Sequence, residues 1–189
     1  MAQKPKMYLK DDRNTGRLAI EIVTEMAVTV AVALFLANFL FFSTKHASKS
    51  MEPTIAQESV VFSNRLAYVF ADPKRFDVVS FRRVGSEDER DVLVRRVVAL
   101  PGETIRISRG KVYVNGTELD LGGRFSEIAS DGIAETEIRL NAGEYFLLGD
   151  MAANSEDSRS STIGTVSRKQ IVGKAWVYMT NVTDIHFIR

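Results

Sequence analysis

The spacing of hydrophobic and polar positions divides the chain into two regimes. Residues 22–42, IVTEMAVTVAVALFLANFLFF, form an apolar run whose one charge is Glu25. About 21 residues rising 1.5 Å each span roughly 31 Å, the thickness of a bilayer core. So uniform a run has no polar face with which to lie on a soluble core. The segment after it, FSTKHASKS, offers only a poor small-x-small site for removal of a leader. Residues 18–42 are therefore expected to be a retained transmembrane helix. Lys4, Lys6, Lys10, Arg13 and Arg17 precede it, diluted by Asp11 and Asp12, whereas only Lys45 and Lys49 follow closely. That asymmetry predicts a single-pass protein of the cell membrane, in contact with lipid. Its tail, residues 1–17, would be cytoplasmic and its bulk, residues 43–189, extracytoplasmic.

After residue 43 the pattern shortens to strands. SVVFS, DVVSF, DVLVRRVVAL, ETIRIS, KVYVNG, EYFLLGD and KAWVYM are rich in Val, Ile, Phe and Tyr, with Pro73, Pro101-Gly102, Arg109-Gly110, Asn115-Gly116 and Gly149-Asp150 between them. RISRGKVYVNG predicts a hairpin turning at Arg109-Gly110. No helical pattern alternates with these strands, so a parallel βαβ sheet is not expected. The fold class predicted is mainly β, antiparallel, behind an N-terminal transmembrane helix. Residues 118–143 are weakly patterned and read as a loop-rich insertion or a mobile flap.

Composition narrows the chemistry. The net charge is +1 from 25 Lys and Arg against 24 Asp and Glu, without the concentrated basic excess of a nucleic-acid binder. The absence of cysteine excludes thiol catalysis, disulfides and cysteine metal sites. The two histidines, His46 and His186, leave little for a metal centre, and no cofactor is expected. Catalysis, if any, runs on hydroxyls, carboxylates, Lys or Arg.

Four segments carry a more specific signal: SKSMEPTI (48–55), KRFDVVSFRR (74–83), LVRRVVALPGETI (93–105) and LGDMAANSEDSRSSTIG (148–164). Their order, their spacing and the preceding anchor resemble the boxes of bacterial type I signal peptidases. The resemblance covers most of residues 18–180. It implies a β fold with a catalytic core, a smaller inserted β region, and a Ser–Lys endopeptidase that acts on the signal peptides of exported precursors. By position, it makes Ser50 the nucleophile and Ser48 the hydroxyl that completes the oxyanion hole with the Ser50 N–H. Met51, Ile55, Leu93 and Val94 would line or flank the pocket for the small residue before the cut. Ser155, Asp157 and Arg159 would brace the site. Pro53 fixes its own φ and holds the turn after the nucleophile.

The resemblance fails most consequentially at one position. The family's general base is the lysine just before the arginine of its RVVALPGE-like box, and here that place is Arg95, with Arg96 in the arginine's place. Neutralising an arginine at pH 7 costs about 7–9 kcal/mol, against roughly 4–5 for lysine, and arginine has no acceptor. His46 would stand roughly 13 Å from Ser50 if the chain between them were extended. Lys49 would face away from Ser50 in a strand, and Lys74 reads as a solvated turn residue. Thr44, His46 and Met151–Ala153 also depart from the family's pattern. Two readings follow: a signal peptidase, slow or with a rearranged base, or a non-cleaving relative that binds precursors and assists surface or pilus assembly. In either, the boxes are expected to gather Ser50, Arg95 and Ser155, with Met51, Ile55 and Val94 lining one apolar groove.

Overall fold

The computed structural model describes residues 12–46, 48–85 and 91–188. Most of the expected cytoplasmic tail lies outside them. The chain divides into two compact units, one ending at Phe39 and one beginning at Leu40.

The first unit holds helix α1 (Asp12–Leu40), 29 residues long. Its stretch Gly16–Phe35 has a mean hydropathy of 2.0, none of it is buried within the molecule, and it is long and apolar enough to cross a membrane. Two hydroxyls inside it bond to the preceding turn, Thr24 Oγ1 to the Ile20 carbonyl (2.7 Å) and Thr29 Oγ1 to the Glu25 carbonyl (2.8 Å). That removes their cost in an apolar medium. The helix starts within the segment assigned to the tail. It stops two residues before the apolar run does, because Phe41 and Phe42 open strand β1 (Phe41–His46).

The second unit is antiparallel throughout its described pairings. Strand β1, β2 (Ser59–Asn64), β3 (Val78–Arg82) and β4 (Val92–Ala99) share a sheet with β9 (Glu144–Leu148), β10 (Val166–Ser167), β11 (Ile171–Asn181) and β12 (Asp184–Phe187). The order is β1-β2-β11-β3-β4-β9-β10, with β12 on β11. A smaller sheet joins β5 (Thr104–Ser108), β6 (Lys111–Val114), β7 (Thr117–Glu118) and β8 (Ile138–Arg139), in the order β7-β6-β5-β8. The hairpin from β5 to β6 turns at Arg109-Gly110 with φ of 53° and 76°, and Asn115-Gly116 repeats this at 50° and 76°. Two consecutive positive φ values match the right-handed twist of the flanking strands.

Alternation sets which face each strand buries. Ile105 and Ile107 of β5 point inward with Val112 and Val114 of β6, while Arg106 is exposed. They pack with Val98, Ala99, Phe146 and Leu148, joining the small sheet to β4 and β9. A second cluster gathers Tyr68, Val79, Phe81, Val97, Tyr145 and Leu147, and a third Met51, Ile55, Val61, Val78, Val94 and Ala175. Strand β4 is covered on both faces. At Gly173 a Cβ would come within 2.7 Å of the Asn64 carbonyl oxygen, so β11 approaches β2 as only glycine permits.

Residues 118–143 hold β8 and a 3-10 turn (Gly132–Glu135) between irregular stretches, and they are tied to the rest of the unit. The Ser126 amide donates to the Asp150 carbonyl (2.8 Å) and the Ile133 amide to the Arg159 carbonyl (2.9 Å). Ile128 and Ala134 are buried.

Phe81 is fully buried at the centre of the second cluster. Phe81→Ala is expected to lower the unfolding free energy by about 3–5 kcal/mol. Urea titration of the detergent-solubilised full chain, followed by fluorescence of its one tryptophan, Trp176, measures it. A loss under about 1 kcal/mol would contradict this packing.

Candidate active site

The stretch 48–55 folds as a compact turn held by hydrogen bonds within it. The Glu52 amide donates to the Lys49 carbonyl (3.0 Å) and the Ile55 amide to the Met51 carbonyl (2.8 Å). Ser50 is fully buried, and its Oγ shares a 2.7 Å hydrogen bond with Ser48 Oγ. The Ser50 amide also donates to Ser48 Oγ, at 3.4 Å. One hydroxyl thus sits against both the oxygen and the N–H of Ser50.

Strand β4 supplies two adjacent arginines, which alternation sends to opposite faces. Arg96 Nε and Nη2 donate to the two oxygens of Asp150 (2.9 and 2.6 Å), and Nη1 donates to the Phe76 carbonyl (2.9 Å). Thr54 Oγ1 donates to Asp150 as well and accepts from Arg96 (3.2 Å). The pair is almost wholly buried, at 1% and 0% exposure, and it ties β4 to the turn that carries Ser50. Arg95 is 2% exposed and, among the described residues, bonds to carbonyls: Nε and Nη2 donate to Glu156 O (2.9 and 2.6 Å), Nη1 to Val94 O (2.6 Å). Burial lowers its guanidinium below the usual arginine value, to about 10, opposed by the charges of Asp157 and Glu156. At neutral pH it remains a cation.

The 148–164 segment closes around this pair of strands and turns. Asp157 accepts from the Gly149 amide (3.1 Å), and from Arg159 at its amide, Nε and Nη2 (3.1, 2.9 and 2.9 Å). Arg159 continues to the carbonyls of Ser130 and Ala152. A Cβ at Gly149 would meet Ser155 Oγ at 2.2 Å and the Ser50 carbonyl at 2.6 Å, so glycine is what lets Ser155 and the Ser50 turn converge there. The Met151 amide donates to that same Ser50 carbonyl (3.0 Å). Ser155 Oγ is enclosed and has no hydrogen-bond partner among the described residues.

His46 closes β1 opposite Ser59. It is 5% exposed, and its enclosed Nε2 has no partner among the described residues. Burial, then the charge of Arg95, lowers its pKa to about 4, so it is neutral at pH 7.

The structure therefore brings Ser48, Ser50, Asp157 and Arg159 into one region with Ser155, and places the Arg95 head group on the carbonyl next to Ser155 rather than on its hydroxyl. Met51, Ile55 and Val94 share one cluster, each fully buried, so the expected groove is closed, with Tyr178 and Ile188 packed against it. Leu93 leaves that group: as the neighbour of Val94 it faces the other way and packs with Phe81, Val97 and Leu147. Lys49 and Lys74 are exposed. Thr54, Gly149, Asp150 and the inward His46 were not singled out as site residues from sequence. Asp150 was flagged only as a turn residue; the fact that Gly149 and Asp150 precede the SEDSR stretch was the available signal.

Asp150→Ala would strand the Arg96 charge in the interior and is expected to cost about 3–5 kcal/mol. Asp150→Ala combined with Arg96→Met should recover most of that loss in the same urea titration. A single variant as stable as the parent would contradict a buried, paired Arg96.

Comparisons with known proteins converge on one family. The family described as signal peptidase, peptidase S26, matches residues 19–180. A probable signal peptidase I-2 of Synechocystis sp. is 30% identical over 162 residues, covering 84% of this chain and 72% of that protein. Signal peptidase I of Bacillus amyloliquefaciens is 29% identical, covering 87% and 89%. Signal peptidase I of Bacillus caldolyticus is 33% identical, covering 78% and 84%.

Proposed function

Since the chain belongs to the signal peptidase family, peptidase S26, we propose that it is a membrane-anchored serine endopeptidase that removes signal peptides from exported proteins. The observation that carries this reading is the buried Ser50, whose oxygen and N–H both meet Ser48 Oγ. Ser50 Oγ attacks the carbonyl carbon of the scissile bond. The Ser50 N–H and the Ser48 hydroxyl face the oxyanion that forms, a placement worth roughly 3–4 kcal/mol per donor. The small side chain before the cut rests on Met51, Ile55 and Val94, which part to admit it, while Leu93 supports the strand from behind. Ser155, Asp157 and Arg159 hold the turn in register.

Arg95 does not act as the base in this scheme. It stays protonated, and its donors are spent on Val94 and Glu156. Its roles are to brace the site and to keep it positive. The wild-type protein is therefore expected to cleave a peptide ending in Ala-x-Ala slowly, and Ser50→Ala to abolish cleavage. Arg95→Lys should accelerate it by about 10²-fold, the lower end of general-base assistance, because a buried lysine is neutralised at accessible pH. If Arg95→Lys binds the precursor yet never cleaves it, the reading passes to a non-cleaving protein that assists surface or pilus assembly.

The charge asymmetry around α1 favours a cytoplasmic N-terminal end and a β unit on the outer face. Protease added to intact spheroplasts should digest the β unit and spare the tail. A protected β unit would reverse the orientation.

A further inference from the structure

We propose that His46 is the general base that serves Ser50, an inference that rests on the cleavage reading above. The 13 Å separation of an extended chain does not apply, because β1 ends at His46 and the chain bends and turns through Ser48–Ser50. Two peptide steps limit the His46–Ser48 Cα separation to about 7 Å. Ser48 Oγ in turn touches Ser50 Oγ, at 2.7 Å.

Three further observations single His46 out. It is 5% exposed, and its enclosed Nε2 lacks a partner among the described residues. A buried polar atom left unbonded costs about 1–3 kcal/mol, so the position is one that a ligand or reacting group would satisfy. The ring is uncharged at neutral pH, which leaves one nitrogen with a free lone pair. The other candidates are committed. Asp150 is held by Arg96 and Asp157 by Arg159, while Lys49 and Lys74 are solvated. Around His46, the partner position on β2 is the uncharged Ser59, and Arg95 of β4 is the charge that acts on the ring. Lys45 and Glu58 pair with each other at the surface (2.8 Å).

The step balances without another reactant. As Ser50 Oγ bonds to the carbonyl carbon, its proton passes to Nε2 and the carbonyl π pair moves to oxygen. On collapse the C–N bond breaks and Nε2 returns the proton to the leaving nitrogen. Water then repeats the sequence on the acyl-enzyme. With a pKa of about 4, His46 is a weak base, which accounts for a slow reaction.

The test compares wild type, His46→Ala, Arg95→Lys and the double variant in detergent, on one Ala-x-Ala peptide. His46→Ala should lower kcat by about 10²-fold with KM little changed. His46→Ala with Arg95→Lys should cleave at the Arg95→Lys rate, which shows an intact site with a replacement base. A neutral base works above its pKa and fails below it. Wild-type kcat should therefore stay flat from pH 8 to about 5 and fall through about 4, whereas Arg95→Lys should already decline at higher pH. Unchanged kcat in His46→Ala, or a wild-type profile set by a group titrating above pH 7, overturns the proposal. So does an inert wild type beside an active Arg95→Lys, which leaves the Ser50 reading standing. If wild type and Arg95→Lys are both inert, the cleavage reading fails and His46 with it.

Discussion

The buried ion pair of Arg96 and Asp150 is the interaction on which the rest of the site depends. It joins the central strand β4 to the end of β9, and through Thr54 it reaches the turn that carries Ser50. Neither group has solvent to fall back on. Full bidentate geometry, the Phe76 carbonyl and the Thr54 hydroxyl together offset a desolvation cost of several kcal/mol per ion. The reward is positional. Segments that lie far apart in sequence, near residues 50, 96 and 150, are held at fixed separation by charge geometry rather than by apolar packing alone. The same Asp150 uses its carbonyl to fix Ser126, so the irregular insertion is hung from the same point.

Neighbouring Arg95 shows what happens when a buried cation lacks such a partner. Its guanidinium meets backbone carbonyls, and Asp157 and Glu156 act on it only from a distance. Burial, and after it the charge of Arg95, keeps His46 neutral. Arg95 thus keeps its own proton and adds to the burial that keeps His46 without one.

Much of this was legible in the chain. The apolar run marked the helix, Arg109-Gly110 marked its hairpin, and four boxes marked which segments would converge. Within ETIRIS and KVYV the structure buries alternate positions, a pattern open to reading in the sequence. What was not legible depends on where the chain bends and which way side chains lean. Phe41 and Phe42 continue the apolar run, so nothing local distinguishes them from the helix; pairing with β2 converts them to strand. Leu93 and Val94 share a motif but not a face. The burial of His46 is decided by its place beside β2 and Arg95 of β4, not by its neighbours in sequence.

The exchange of lysine for arginine in such a site is best understood as a choice between two uses of a long cationic side chain. A lysine brings one nitrogen, whose proton burial can remove. An arginine brings a rigid fork that keeps its protons and bonds several acceptors at once. Here the fork spans from Val94 on β4 to Glu156, within the segment that also contains Ser155, Asp157 and Arg159. Two bonds from one guanidinium to the Glu156 carbonyl fix that segment more firmly than a single ammonium on a flexible stem would. Basicity is surrendered at the residue where the resemblance looks for it, and rigidity is gained between β4 and the bracing loop. A hydrolase built this way needs its proton acceptor elsewhere, close to Ser50, uncharged and shielded from water. Among the described residues, the ring at the end of β1 is enclosed and uncharged, and it is the group we propose for that role.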